Sequence, residues 1–253
     1  MVVPGLVSVS FRALSPKHIV ALCQRTGLRA VEWGGDVHVP PTDPARADEV
    51  YKMCRAAGLQ VAAYGSYYRA GQPDAAFEAV LEAAQRLEAP IIRIWAGECG
   101  SEACDEEQRA RVVDSLMRCA RKAGARGLKI ALEYHGGTLT DRRDSVRRLL
   151  VETRQAENLT FYWQPRWDWG QQERMGSMWD LENRLSHVHV FTWLHQNGQV
   201  IRQPLEAGED MWLQVLDELR GREEERCAML EFVENDDPAA LERDARTLLK
   251  WLR

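Results

Sequence analysis

Residues 90–135 read PIIRIWAGECGSEACDEEQRARVVDSLMRCARKAGARGLKIALEYH, and they hold the unit from which the rest of the chain is built. The apolar runs PIIRIWAG (90–97) and LKIALEYH (128–135) read as strands. Between them residues 105–123 carry a helical pattern, with AGARG as its stop. Both strands are near-continuously apolar rather than alternating, as expected for parallel strands covered on two faces.

The alternation extends in both directions. Strand-like runs recur at 6–11 (LVSVSF), 28–33 (LRAVEW), 59–65 (LQVAAYG), 159–165 (LTFYWQP), 185–193 (LSHVHVFTW) and 227–233 (CAMLEFV), which makes eight in all. Ser15 and Pro16 supply an N-cap and a first-turn proline for a helix that Gly27 ends; Thr42 or Asp43 opens another, closed by Gly58. Further helices are expected at 73–88, 141–156, roughly 172–184, 209–220 and 237–252. Eight units repeating about every 32 residues argue for parallel α/β architecture, either an open doubly wound sheet or a closed barrel. The length suits the barrel, and no GxGxxG or P-loop follows any strand. No linker or low-complexity tract divides the chain. A single-domain (β/α)8 TIM barrel over residues 1–253 is therefore expected.

Composition removes several function classes. Thirty-three Lys and Arg against 38 Asp and Glu give a net charge of -5, which draws the chain toward neither nucleic acid nor anionic membrane. The apolar runs fall short of the ~20 residues that span a bilayer, and MVVPGLVSVSF has no basic region before its apolar stretch. The six cysteines form no CxxC pair; Cys23, Cys54 and Cys119 lie in amphipathic helical patterns, as in proteins of a reducing compartment. Cys99 and Cys104 share a short loop. A cytoplasmic location is expected.

In a barrel the active site gathers at the C-terminal ends of the strands. Those ends carry Glu32, Trp33 and His38; Tyr64 and Tyr67; Arg93, Trp95 and Glu98; Glu133 and His135; Trp163, Gln164 and Trp167; His187, His189 and Trp193; Glu231 and Glu234. A carboxylate inside an apolar strand costs several kcal/mol unless it is paired or metal-bound, and Glu133 and Glu231 are both so placed. A salt bridge to Arg93 or Arg202 is one account. For two such carboxylates with a His-bearing strand between them, a shared divalent cation, Mn²⁺, Mg²⁺ or Co²⁺, is the better one.

With VEWGGDVHVP early in the chain, RIWAG, ALEYH, HVHV, the stretch from Arg202 to Trp212 and LEF, the sequence resembles the xylose isomerase-like barrel family of sugar phosphate isomerases and epimerases, which also includes AP endonuclease. The resemblance implies one divalent ion held from the fifth to eighth strands by Glu133, Gln164, His189 and Glu231. Gln164 stands where the family has Asp, so weaker metal binding is expected, and Trp167 stands where the family often has a substrate-binding His. His187 is two residues from His189 and on the same strand face, and the family match favours His189 as the ligand. The resemblance further implies acid/base duty for Glu133 and Glu231 and a substrate-orienting role for Arg202. His38 and His135 sit in loops where they contact substrate hydroxyls or cap turns.

Six of the nine tryptophans, Trp33, Trp95, Trp163, Trp167, Trp169 and Trp193, fall at strand ends or in the loop after the sixth strand. Indole faces stack on sugar C–H faces, so a small sugar or polyol is the expected ligand. Trp179, Trp212 and Trp251 fall in helical segments and are read as packing residues. The expected function is metal-dependent sugar, keto-polyol or keto-acid isomerisation or epimerisation through an enediolate, with a dehydratase as a close variant. A non-catalytic sugar-binding barrel is the alternative, motivated by Gln164 and Trp167, and AP endonuclease-like DNA repair a remote one. An unphosphorylated substrate is preferred, although HQNG (195–198) leaves room for a phosphate loop. The oligomeric state stays open, a homo-oligomer included.

Overall fold

A computed structural model describes residues 1–166 and 168–253, with Glu182 described through its backbone alone. Eight parallel strands close into a barrel: β1 (Val2–Val7), β2 (Ala30–Gly34), β3 (Gln60–Arg69), β4 (Ile91–Trp95), β5 (Lys129–Glu133), β6 (Leu159–Trp163), β7 (Leu185–Val190) and β10 (Arg226–Leu230). Pairing of Val2–Leu6 with Arg226–Leu230 closes the ring. The helices outside it are α1 (Pro16–Thr26), α2 (Pro44–Ala57), α3 (Asp74–Arg86), α4 (Glu106–Gly124), α5 (Arg143–Glu152), α6 (Gln171–Trp179), α7 (Glu209–Arg220) and α8 (Pro238–Trp251). This is the (β/α)8 barrel that the repeat called for. No helix among the described residues is long and apolar enough to cross a membrane.

Strand parity sorts the side chains into two cores. Val3, Val7, Ala63, Ala131, Tyr162 and Met229 belong to a small cluster inside the barrel, while Val31, Ile92, Leu132, Phe161, Val188 and Leu230 pack outward in the larger one under the helices. The same parity sends residues 32, 93, 133, 189 and 231 inward at the strand ends. Trp33 and Trp163 are each one residue out of phase with an inward position, so both indoles leave the mouth. Trp33 donates to Cys54 Sγ of α2 at 3.4 Å, and Trp163 donates to Ser177 Oγ of α6 at 2.9 Å while packing edge-on against Trp212 of α7.

Several boundaries differ from the sequence reading, among them the end of β3 at Arg69 rather than 65 and the span of α5, Arg143–Glu152 rather than 141–156; three differences bear on the site. The first strand runs from Val2 to Val7, not 6–11, because Val2 and Val3 pair with Arg226 and Cys227; Ser8–Phe11 form a 3₁₀ turn in which Ser8 Oγ accepts from the Gly34 N–H at 2.8 Å. The helix expected over 172–184 ends at Trp179 and is followed by a 3₁₀ turn, Glu182–Arg184. The run 185–193 splits after Val190 into β7 and a hairpin, β8 (Thr192–Gln196) with β9 (Gln199–Gln203). Asn197 and Gly198 turn this hairpin with φ of 52° and 76°, the left-handed pair of a primed turn that Asn-Gly signals. HQNG is thus a hairpin tip.

Among the helical tryptophans, Trp212 and Trp251 are buried as expected, whereas Trp179 is 52% exposed. Trp163→Ala should cost about 3–5 kcal/mol of unfolding free energy, since it empties a fully buried site and removes the hydrogen bond that Ser177 Oγ accepts, leaving only the one it donates to the Arg174 carbonyl. Urea titration followed by circular dichroism measures it.

Candidate active site

The inward strand ends bring together Glu32, Arg93, Glu133, His189 and Glu231, all buried. Charges taken out of water are costly unless paired, and these are paired in a ring. Arg93 Nε donates to Glu32 Oε1 at 3.2 Å, and its Nη1 lies 3.0 Å from Glu133 Oε2. His189 Nε2 lies 3.3 Å from Glu32 Oε2, and Nδ1 lies 3.2 Å from Glu231 Oε2 and 3.8 Å from Glu133 Oε1. Gly65 is required beneath this ring, since a Cβ there would stand 2.5 Å from Glu32 Oε1.

Electrostatics follow from the ring. Burial would push the Glu32 carboxyl up, but His189 and Arg93 outweigh it and bring the group down to about 2. Burial likewise opposes a charged His189, yet Glu231 and Glu32 hold its imidazole well above the ordinary histidine range. For His187, one layer deeper in the barrel, burial outweighs the attraction of Glu32. Burial lowers this imidazole to about 4, and its Nδ1 accepts from the Cys227 N–H at 3.1 Å. It is a neutral core histidine beside Tyr162.

Gln164 completes the cluster. Its Nε2 donates to Glu133 Oε1 at 2.8 Å and to the Tyr134 carbonyl at 2.7 Å, which turns Oε1 to within 3.3 Å of His189 Nδ1. Nδ1 therefore faces three oxygens, from Glu133, Gln164 and Glu231. Ligand atoms of Glu133, His189 and Glu231 all lie within 4.8 Å of one another. Ligands about 2.0–2.2 Å from one ion are separated by about 3–3.5 Å, so modest closure would complete a coordination set of one imidazole nitrogen and three oxygens. Two further observations fit a divalent ion. Glu231 Oε2 is buried and forms no hydrogen bond among the described residues, and His189 Nε2 is directed at a carboxylate, the outer partner that metal-ligating histidines commonly have.

A cavity of about 360 Å³ opens over this cluster. Trp95 stands in its wall, donating from Nε1 to Glu133 Oε2 at 3.0 Å, with His135 stacked on it at 4.7 Å. His135 Nδ1 is 2.7 Å from the Gly136 carbonyl. Trp193 of β8 forms another wall, packed against Phe191 and Phe232 at 4.3 and 4.8 Å between ring centroids. Phe232 has φ of 49°, a left-handed backbone unusual for an aromatic residue, immediately after Glu231. Tyr67 and Arg12 join at 2.6 Å on the β1–β3 side of the cavity.

The expected site residues thus divide. Glu133, Gln164, Glu231, His135, Trp95 and Trp193 line the cavity, with His189 buried behind the two carboxylates; Trp33, Trp163 and His187 lie in the cores; and Trp167 lies outside the described residues. His38 is buried with both ring nitrogens engaged, Nδ1 with Ser8 Oγ at 3.0 Å and Nε2 with the Leu14 carbonyl at 3.1 Å, so it ties the first two loops together. Arg202 is outside the cavity lining. Its Nη1 donates to the Val233 carbonyl and Asp236, and it packs over Phe232, which steadies the loop carrying that ring. Sequence reasoning did not single out Arg12, Phe191, Arg166 or Phe232, nor the hairpin beside them; the Asn-Gly pair in HQNG is the signal that could have found it, where the expectation was room for a phosphate loop.

Glu32→Gln should lower divalent-metal affinity by about 10–100-fold by releasing His189, with the far-ultraviolet circular dichroism unchanged. Gln164→Glu should act in two directions. A carboxylate in contact with Glu133 and the Tyr134 carbonyl destabilises the metal-free chain, while added ligand charge tightens binding; the thermal shift on adding Mn²⁺ should therefore exceed that of the parent.

The family model described as "Xylose isomerase-like TIM barrel" matches residues 20–253. No curated protein matches the sequence. Solved structures with the same fold include the probable 3-DHS dehydratase AsbF of Bacillus anthracis, which is 18% identical over 98% of this chain and 99% of that one, with a TM-score of 0.80. The D-allulose 3-epimerase of Methylomonas sp. is 14% identical over 100% and 98% of the two chains, with a TM-score of 0.71. A Mycobacterium smegmatis xylose isomerase-like barrel protein, solved in complex with magnesium, is 12% identical over 96% and 90%, with a TM-score of 0.70. At these identities the likeness is one of fold. By its closed eightfold barrel and a family match over nearly its whole length, the chain belongs to the xylose isomerase-like TIM barrel family.

Proposed function

We propose that the chain is a divalent-metal-dependent isomerase or epimerase acting on a small sugar, keto-polyol or keto-acid by proton transfer through an enediolate, with dehydration of a keto-polyol as a variant of the same enolisation. The observation that carries this reading is the orientation of His189, with Nε2 on a buried carboxylate and Nδ1 facing three oxygens, from Glu133, Gln164 and Glu231, whose side chains line a cavity. Glu133, Gln164, His189 and Glu231 would hold the ion. When bound, it supplies Lewis-acid stabilisation of the charge that develops on the substrate oxygens.

The chain's own residues divide the remaining work unequally. Both Glu133 oxygens already accept hydrogen bonds, Oε1 from Gln164 and Oε2 from Trp95, and Oε2 is also ion-paired with Arg93. A proton arriving at Glu133 weakens these contacts, which favour the ionised carboxylate. Glu231 accepts no side-chain hydrogen bond among the described residues apart from its contact with His189, and it lines the cavity. Glu231 is therefore the group best placed to take the proton from carbon, while Glu133 is held as a ligand. Trp95, Trp193 and the rings beside it exclude water and offer faces to substrate C–H groups.

Gln164 also favours a second reading, a sugar-binding barrel without turnover, because its two hydrogen bonds close the cluster with no ion. A DNA-repair role finds less support. The net charge is -5, and one group of three metal-capable residues is present among the described residues, short of a three-metal cluster.

Metal analysis and deuterium exchange decide between the first two. Incubation of ketoses in D₂O with saturating Mn²⁺ should place deuterium at carbon adjacent to the carbonyl, and Glu231→Gln should slow this by about 10²–10⁴-fold. Absence of bound metal and of exchange across a broad ketose panel would overturn the catalytic reading.

A further inference from the structure

A second cavity, of about 450 Å³, adjoins the first, and Pro165, Arg166, Phe191 and Trp193 belong to the walls of both. Each is within the size range of small-molecule sites. The proton-transfer chemistry makes no use of this second space, since Glu133, His189 and Glu231 are not part of its lining.

Its polar groups are of both kinds. Helix α6 contributes Gln171 and Arg174, and the turn into α7 contributes Glu206, Gly208 and Asp210. No side chain caps the first turn of α7 at Gly208. An anion entering here meets the carboxylates of Glu206 and Asp210, and a cation meets Arg166 and Arg174. A neutral group bearing several hydroxyls suits such a lining, because each hydroxyl both donates and accepts.

The shared wall suits the same kind of group. Phe191 is buried against Trp193 at 4.3 Å, and the partly exposed indole of Trp193 offers apolar surface to which the C–H face of a sugar ring is complementary. The Trp193 Nε1–H is buried in this wall without a hydrogen-bond partner among the described residues, an unusual state for an indole and one that a ligand hydroxyl would relieve once a small turn of the ring exposed it.

We infer that the substrate is a two-part molecule, a ketose bearing a glycosyl or similar polyhydroxylated substituent, with the ketose over His189 and Glu231 and the substituent in the adjoining cavity beyond Trp193. The position of the ketose rests on the function proposed above. The position of the substituent rests on the second cavity alone.

Calorimetric titration of the Mn²⁺-loaded protein with D-fructose, and with the glycosyl-fructoses turanose, lactulose and isomaltulose, tests the inference. These three carry a hexosyl unit on different hydroxyls of the same ketose. At least one should bind about tenfold or more tightly than fructose, and Gln171→Ala or Glu206→Ala should remove most of that preference. If none binds more tightly than fructose, or if the preference survives both substitutions, the inference is overturned. Parallel deuterium exchange keeps the two claims apart. A glycosyl preference without exchange sinks the catalytic reading and leaves the two-part ligand standing, whereas exchange without a preference does the reverse.

Discussion

The closed ring of buried charges formed by Glu32, Arg93, Glu133 and His189 is the constraint on which the rest of the site depends. Four ionisable groups on four strands sit inside a barrel whose interior is otherwise filled by valine, alanine, methionine and tyrosine. Each alone would be strongly unfavourable there. Joined at 3.0 to 3.8 Å they satisfy one another, and the ring in turn sets the direction of every other polar group in the cluster. Glu32 orients His189, Arg93 and Trp95 engage one oxygen of Glu133, and Gln164 engages the other.

An amide at position 164, where the resemblance implies a carboxylate, becomes intelligible within that ring. Glu32 and Arg93 cancel, so a divalent ion would meet two carboxylates, Glu133 and Glu231, and a neutral imidazole. The loaded centre is then electrically balanced, whereas an Asp at position 164 would leave one negative charge in excess. The amide also does something an Asp cannot, because its N–H group binds Glu133 and the Tyr134 carbonyl at once. What Gln164 gives up in attraction for a cation it returns as a cluster that stays ordered without one.

Much of this was legible in the sequence, and the exceptions share a cause. The eight units and the inward carboxylates Glu133 and Glu231 follow from apolar runs interrupted by charge, and His189 follows from its strand position and the family pattern. Trp33 and Trp163 were expected at the mouth because they end strands, but each directly follows an inward residue or precedes one, and strand parity turns it outward. His187 has the right parity and the wrong depth, a distinction that requires the register between β7 and its neighbours. His38 is drawn away by two hydrogen bonds to the first loop, Arg202 by Asp236, and no local pattern announces either. The hairpin's signal is Asn197 and Gly198, where room for a phosphate loop was expected, and LSHVHVFTW has no break in its apolar character where β7 ends.

The account stands or falls on the ion and its ligands. Anomalous diffraction at the manganese edge from crystals grown with Mn²⁺ should show one peak about 2.0–2.3 Å from His189 Nδ1 and from oxygens of Glu133, Gln164 and Glu231. A peak coordinated by other residues, by Nε2 of His189, or no peak at saturating metal would contradict it.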